Sequence, residues 1–173
     1  MAFVVEDGTS KQDSTSYLSI AAADAYLAVF TTRTGWLSAT TSAKEISLQR
    51  ATQYLDATYG GRYKGLRADE DQALMWPRMG VTDLSGYSYD YDEMPNPLLN
   101  ATAEIADRVV AGDDLIADQT DTGKIKSQKV VVGPIEETIE YVGGMTLGKR
   151  YPNVEGILRS LIESLATVRL ERA

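Results

Sequence analysis

Between Tyr59 and Arg78 the sequence interleaves rings and cations: Tyr59, Arg62, Tyr63, Lys64, Arg67, Trp76 and Arg78. Residue types in this pattern suit a groove for single-stranded nucleic acid, because bases stack on aromatic faces while cations neutralise the phosphates. Tyr59, Arg62, Tyr63, Lys64, Arg67 and Trp76 are therefore the candidate nucleic-acid contacts. A second reading competes with it. Tyr59 and Tyr63 would pack the end of a helix, Trp76 would fill the core beside it, and Arg78 would pair with an acidic neighbour. The local charge is positive only before Asp69-Glu70-Asp71, and the whole chain carries −8 with a pI near 4.6. Such a chain repels phosphate, so packing is the favoured reading.

Other constellations are weaker. Tyr87, Tyr89 and Tyr91 alternate with polar residues in GYSYDYDEM. Spacing of two places all three rings on one side of an extended segment. A core role and a contact with another subunit explain them equally well, since tyrosine combines a large apolar area with a polar tip. Asp90, Asp92 and Glu93, Asp113 with Asp114, and Glu136 with Glu137 could act as acid–base pairs or hold Ca²⁺ or Mg²⁺. DYDE lacks the glycine and terminal glutamate of a calcium-binding loop, so a solvated acidic face is preferred. GGMTLGK at 143–149 is followed by Arg150 where a phosphate-binding loop needs Ser or Thr. Turn and cap roles account for Gly60-Gly61 and Gly143-Gly144.

Composition excludes more than it suggests. Cysteine and histidine are absent, which removes disulfides, thiolate sites and the commonest general base and transition-metal ligand. Neither an enzyme nor a cofactor is expected. No run approaches a membrane span and the N-terminus lacks the pattern of a signal peptide, so the chain reads as soluble and intracellular.

The elements that must position these residues follow from caps and periodicity. The segment 1–18 reads as an extended arm or edge strand and a loop. Ser19 caps a first helix whose face is Ile20, Ala23, Leu27 and Phe30. After a turn, TTRTGW, Ser42 with Glu45 forms a capping box for a second helix that ends at Gly60-Gly61. Residues 62–95 read as a long ordered loop. Asn96 caps a third helix with Pro97 at its first position, and Gly112 stops it. Residues 125–142 predict a β-hairpin about Gly133-Pro134. A last helix with its tail spans 153–173, with a seam of Val154, Ile157, Leu158, Leu161, Ile162, Leu165 and Val168. The expected fold is mainly α: one domain, 1–173, with a four-helix body, a hairpin and a long loop between helices two and three.

The ordered set VVEDGT, SYLSIAAADAYLA, RATQYLDATYGGRYKG, QALMWPRMGVTD, KSQKVVVGPIEETIEY and YPNV resembles a family of tailed-bacteriophage proteins labelled DnaT-like single-stranded-DNA-binding proteins. Proteins of this kind are also similar in size and helical layout to phage head-tail adaptors, called connector or head-completion proteins. The resemblance implies a structural virion protein assembled in the host cytoplasm and resident in the neck. It would form a ring, typically of twelve copies, between the portal and a neck or tail protein, and genomic DNA would pass through without sequence-specific binding. No membrane partner is implied. An acidic channel wall would let DNA slide. In this reading the hairpin, with edges open to strand addition, and the loop 79–95 reach neighbouring subunits, while Trp76, Arg78, Tyr87, Tyr89 and Tyr91 anchor the loop or form an interface. The label itself implies the alternative, a DnaT-like accessory protein that binds single-stranded DNA in replication.

Overall fold

In the computed structural model, residues 2–30, 32–115 and 151–163 are described, together with the backbone of 128–132 and 135–139. The helices are α1 (Ile20–Leu27), α2 (Thr34–Ser38), α3 (Thr41–Tyr59), α4 (Asn96–Val110) and α5 (Pro152–Leu158), with a 3-10 turn at Gly60–Arg62. The short strands β1 (Leu66–Arg67) and β2 (Arg78–Met79) pair antiparallel within the long loop, as do β3 (Gln128–Val132) and β4 (Ile135–Ile139). The protein is mainly α, as the periodicity indicates. The chain divides into two units, Met1–Asp113 with Tyr151–Ala173, and Asp114–Arg150.

The first unit is built around α3 and α4, which pack on each other, with α1, α2 and α5 against α4. α3 buries Leu48, Ala51, Thr52, Leu55 and Tyr59, the i, i+3, i+4, i+7 spacing of one helical stripe. α4 is covered on all sides in its middle, since Ala101 to Asp107 are all buried. Each large aliphatic side chain so enclosed, such as Leu98 and Ile105, contributes about 1.5–3 kcal/mol.

Several local expectations change. Ser19 does cap α1, accepting from the Ala22 amide. The cap of α3, however, is Thr40 rather than Ser42: its extended backbone brings the hydroxyl to the Ala43 amide, and Ser42 lies inside the first turn. α4 begins at Asn96 with Pro95 in the cap position, so Asn96 is the first helical residue and not the cap. TTRTGW is not merely a turn. It leads into α2, whose Trp36 is fully buried and donates its indole N–H to Asp24 at 2.7 Å. Anchoring by one buried ring stabilises a helix too short to form on its own propensity.

The N-terminal segment is folded onto the body rather than extended. Val4 O accepts from the Thr15 and Ser16 amides, and the buried Glu6 carboxylate accepts from the amides of Gly8, Ser10 and Lys11. Gly8 has φ +100°, and a Cβ there would lie 1.8 Å from the Asp92 carbonyl oxygen, so only glycine fits that crossing. After α5, Leu161 and Ile162 are buried and the chain pairs with residues 62–64 through Lys64 N to Leu161 O and Glu163 N to Arg62 O. The hairpin strands have the register Val132 with Ile135 through Gln128 with Ile139. Residues 125–127 and 140–142, Gly143 to Arg150, Leu165, Val168 and the tail lie outside the described residues.

Candidate interaction surfaces

The long loop brings the ring-and-cation residues together, but around each other. Trp76 is 0 % exposed, and Tyr59 and Tyr63 are buried beside it. The Tyr63 and Trp76 rings meet edge to face, their centroids 5.8 Å apart, a geometry that follows from the aromatic quadrupole. The Trp76-Pro77 peptide bond is cis. A base cannot stack on rings enclosed in this way.

The cations are spent on the fold too. Arg62 pairs with Glu155 at 3.0 Å and donates to the Glu163 carbonyl. Lys64 donates to the carbonyls of Ser160 and Thr82, and Arg67 to those of Glu70 and Gln72. Arg78 corrects the expected acidic pairing. Its guanidinium is buried and donates to four backbone carbonyls: Lys64 at 2.8 Å, Gly65 at 2.6 Å, Met75 at 3.2 Å and Tyr63 at 3.4 Å. A loop that folds back strands carbonyls without ladder partners, and five donors in a planar fork can satisfy several at once. Buried Gln72 performs the same task, receiving the Asp69 amide and donating to the Leu74 and Pro77 carbonyls.

Beneath this loop, Asp56 of α3 joins three segments. Tyr17 donates to one carboxylate oxygen at 2.5 Å and the Met75 amide to the other at 3.1 Å. Burial raises the Asp56 carboxyl from its ordinary value to about 6, against the opposing hydrogen bonds from Tyr17 and Met75. Burial also pushes the Tyr17 phenol up, with the Asp56 charge adding to it.

A second polar network leaves little trace in the sequence. Arg33, just before α2, bridges Glu104 and Asp107 of α4, and Arg108 also reaches Glu104 at 3.1 Å. Both carboxylates are buried. The residues are 71 and 74 positions apart in the chain, so the sequence signals it only through a pair of acids on the otherwise buried middle of α4.

The tyrosine segment is the opposite of the Trp76 region. Tyr87 is 55 % and Tyr91 66 % exposed, Leu84 is exposed beside them, and Tyr89 is half-buried. The Tyr87 and Tyr89 rings pack edge to face at 5.3 Å, on a common side as the spacing requires. The nearby Glu93 carboxylate, which accepts from the Tyr87 hydroxyl, raises that phenol. From Met79 to Pro95 the sequence has Asp83, Asp90, Asp92 and Glu93 and no Lys or Arg. Exposed Leu66 and Met79 are cross-strand partners on β1 and β2 and add apolar surface. Asp113 accepts from the Tyr151 hydroxyl at 2.9 Å. Among the described residues, no three acidic side chains converge as a metal site. No helix among them is long and apolar enough to cross a membrane.

One family model, described as "Putative DnaT-like ssDNA binding protein", matches residues 1–173. No curated protein and no solved structure matches the chain.

Proposed function

The chain belongs to the DnaT-like single-stranded-DNA-binding family, and we propose that it is a non-enzymatic structural protein of a phage particle, a head-tail adaptor. In this reading copies form a ring that joins the portal to a neck or tail protein and lets genomic DNA pass. The observation that carries it is the division of aromatic residues. Along residues 59–93, Tyr59, Tyr63 and Trp76, beside cations, are buried, while Tyr87 and Tyr91, beside carboxylates, are exposed with Leu84. A surface of exposed rings and aliphatics rimmed by acids suits protein contacts and disfavours phosphate. The net charge of −8 supports a channel wall that does not hold DNA. The neck of the virion is the corresponding location, reached from the host cytoplasm.

The family description favours a second reading, an accessory protein that binds single-stranded DNA in replication. It would require a surface other than the enclosed Tyr59, Tyr63 and Trp76.

Electron microscopy of the full chain mixed with portal rings tests the first reading. Added ring density below the portal is the expected result, and portal rings without any added density would contradict it.

A further inference from the structure

We infer that the β3–β4 hairpin is an assembly strand pair, the β3 edge of one copy receiving the β4 edge of the next. This deepens the ring reading above and rests on it. A two-stranded hairpin of five-residue strands is marginal in water by itself. Among the described residues neither outer edge of this sheet has a partner strand. The register fixes which backbone groups those edges offer. Val132 and Ile135 flank a two-residue connection, and in such a hairpin the flanking pair is hydrogen-bonded, with the bonding alternating along the ladder. Lys129 and Val131 on β3, and Glu136 and Thr138 on β4, therefore turn their N–H and C=O groups outward.

Charge chooses the partner. β3 carries Lys129 and no acid, whereas β4 carries Glu136 and Glu137 and no base. Pairing β3 with β3, or β4 with β4, across two copies would set like charges opposite each other. Pairing β3 with β4 sets opposite charges together, and it is heterologous, so each copy keeps one edge for the next. A symmetric dimer would close after two subunits. The alternating pairing instead propagates and closes as a ring, as the proposed assembly needs.

The chain has no cysteine, which makes cross-linking a clean test. Full-length Lys129→Cys and full-length Thr138→Cys, carrying different mass tags, are mixed and oxidised on portal rings. The mixed disulfide is expected to outnumber both like-with-like products. Like-with-like products alone, or none at all in rings that do form, would overturn the inference. The latter is also the outcome if residues 164–173 of the same chain cover the edge. In parallel, Val131→Pro removes an outward N–H that the hairpin itself does not use, and should weaken self-association about tenfold or more. Glu136→Lys should weaken it too, with recovery in the Lys129→Glu, Glu136→Lys double variant. A ring that forms equally well with Val131→Pro sinks the strand pairing and leaves the adaptor reading standing, whereas portal rings that gain no density with the wild-type chain sink the adaptor reading first.

Discussion

Residues 60–78 and 83–93 both lie in the long connection between α3 and α4 and both carry aromatic rings, yet the rings of the first are enclosed and those of the second mostly stand in solvent. In the first, Trp76 and Tyr63 are buried and Arg78 is consumed by backbone carbonyls. In the second, Tyr87 and Tyr91 are exposed among acids whose hydrogen bonds come from local amides and the Tyr87 hydroxyl. The difference lies in the neighbours. Cations with long stems can follow a ring inward and satisfy a folded loop's carbonyls. A carboxylate has no N–H to give a carbonyl, and those of 83–93 lie at or near the surface with the rings between them.

Removing the enclosed ring should perturb the fold most. Trp76→Ala should cost about 3–5 kcal/mol in denaturant unfolding of the isolated chain, through lost burial and the cavity left behind. Stability near wild type would move Trp76 from the core to an interface. Next, Arg78→Lys should cost about 2–3 kcal/mol, because an ammonium cannot reproduce the planar fork and leaves buried carbonyls unpaired. Full retention of stability would mean those carbonyls find other donors.

The pH dependence sharpens the picture of the loop's base. Asp56 is raised to about 6 in the fold, above the ordinary carboxylate value of about 4 that holds when unfolded. Between those values the unfolded chain has lost a proton that the folded chain keeps. The Asp56 contribution is therefore fully present below pH 4 and is lost as pH rises through 6, by roughly 3 kcal/mol. Asp56→Asn should flatten that slope in unfolding measurements across pH 4–7. Asp7, held down to about 2 first by its hydrogen bond from Lys11, works in the other direction, with its contribution lost as pH falls toward 2. The smallest effect belongs to the exposed region: Tyr87→Ser with Tyr91→Ser should change stability by less than about 0.5 kcal/mol while reducing ring formation.

What could be read early was local. The Ser19 cap, the stripe on α3, the stop at Gly112, the hairpin about residues 133–134 and the core role of Trp76 all rest on short-range spacing or on one large apolar side chain. What could not be read depends on distant partners. The carbonyls that Arg78 serves, the Arg33 bridge to Glu104 and Asp107, and the wrap of residues 2–18 over the body are set by tertiary placement. α2 was missed for a related reason. Its five residues have no period to detect, and a single buried indole holds it.

The central claim is that the rings from Tyr59 to Trp76 belong to the core and do not stack on bases. Both tryptophans, Trp36 and Trp76, are fully buried, so intrinsic fluorescence during titration with a single-stranded oligonucleotide reads this directly. A buried-tryptophan emission that stays unchanged across the titration at low and moderate salt is the expected result. Saturable quenching that weakens steeply with salt, and disappears in Arg62→Ala, would contradict it.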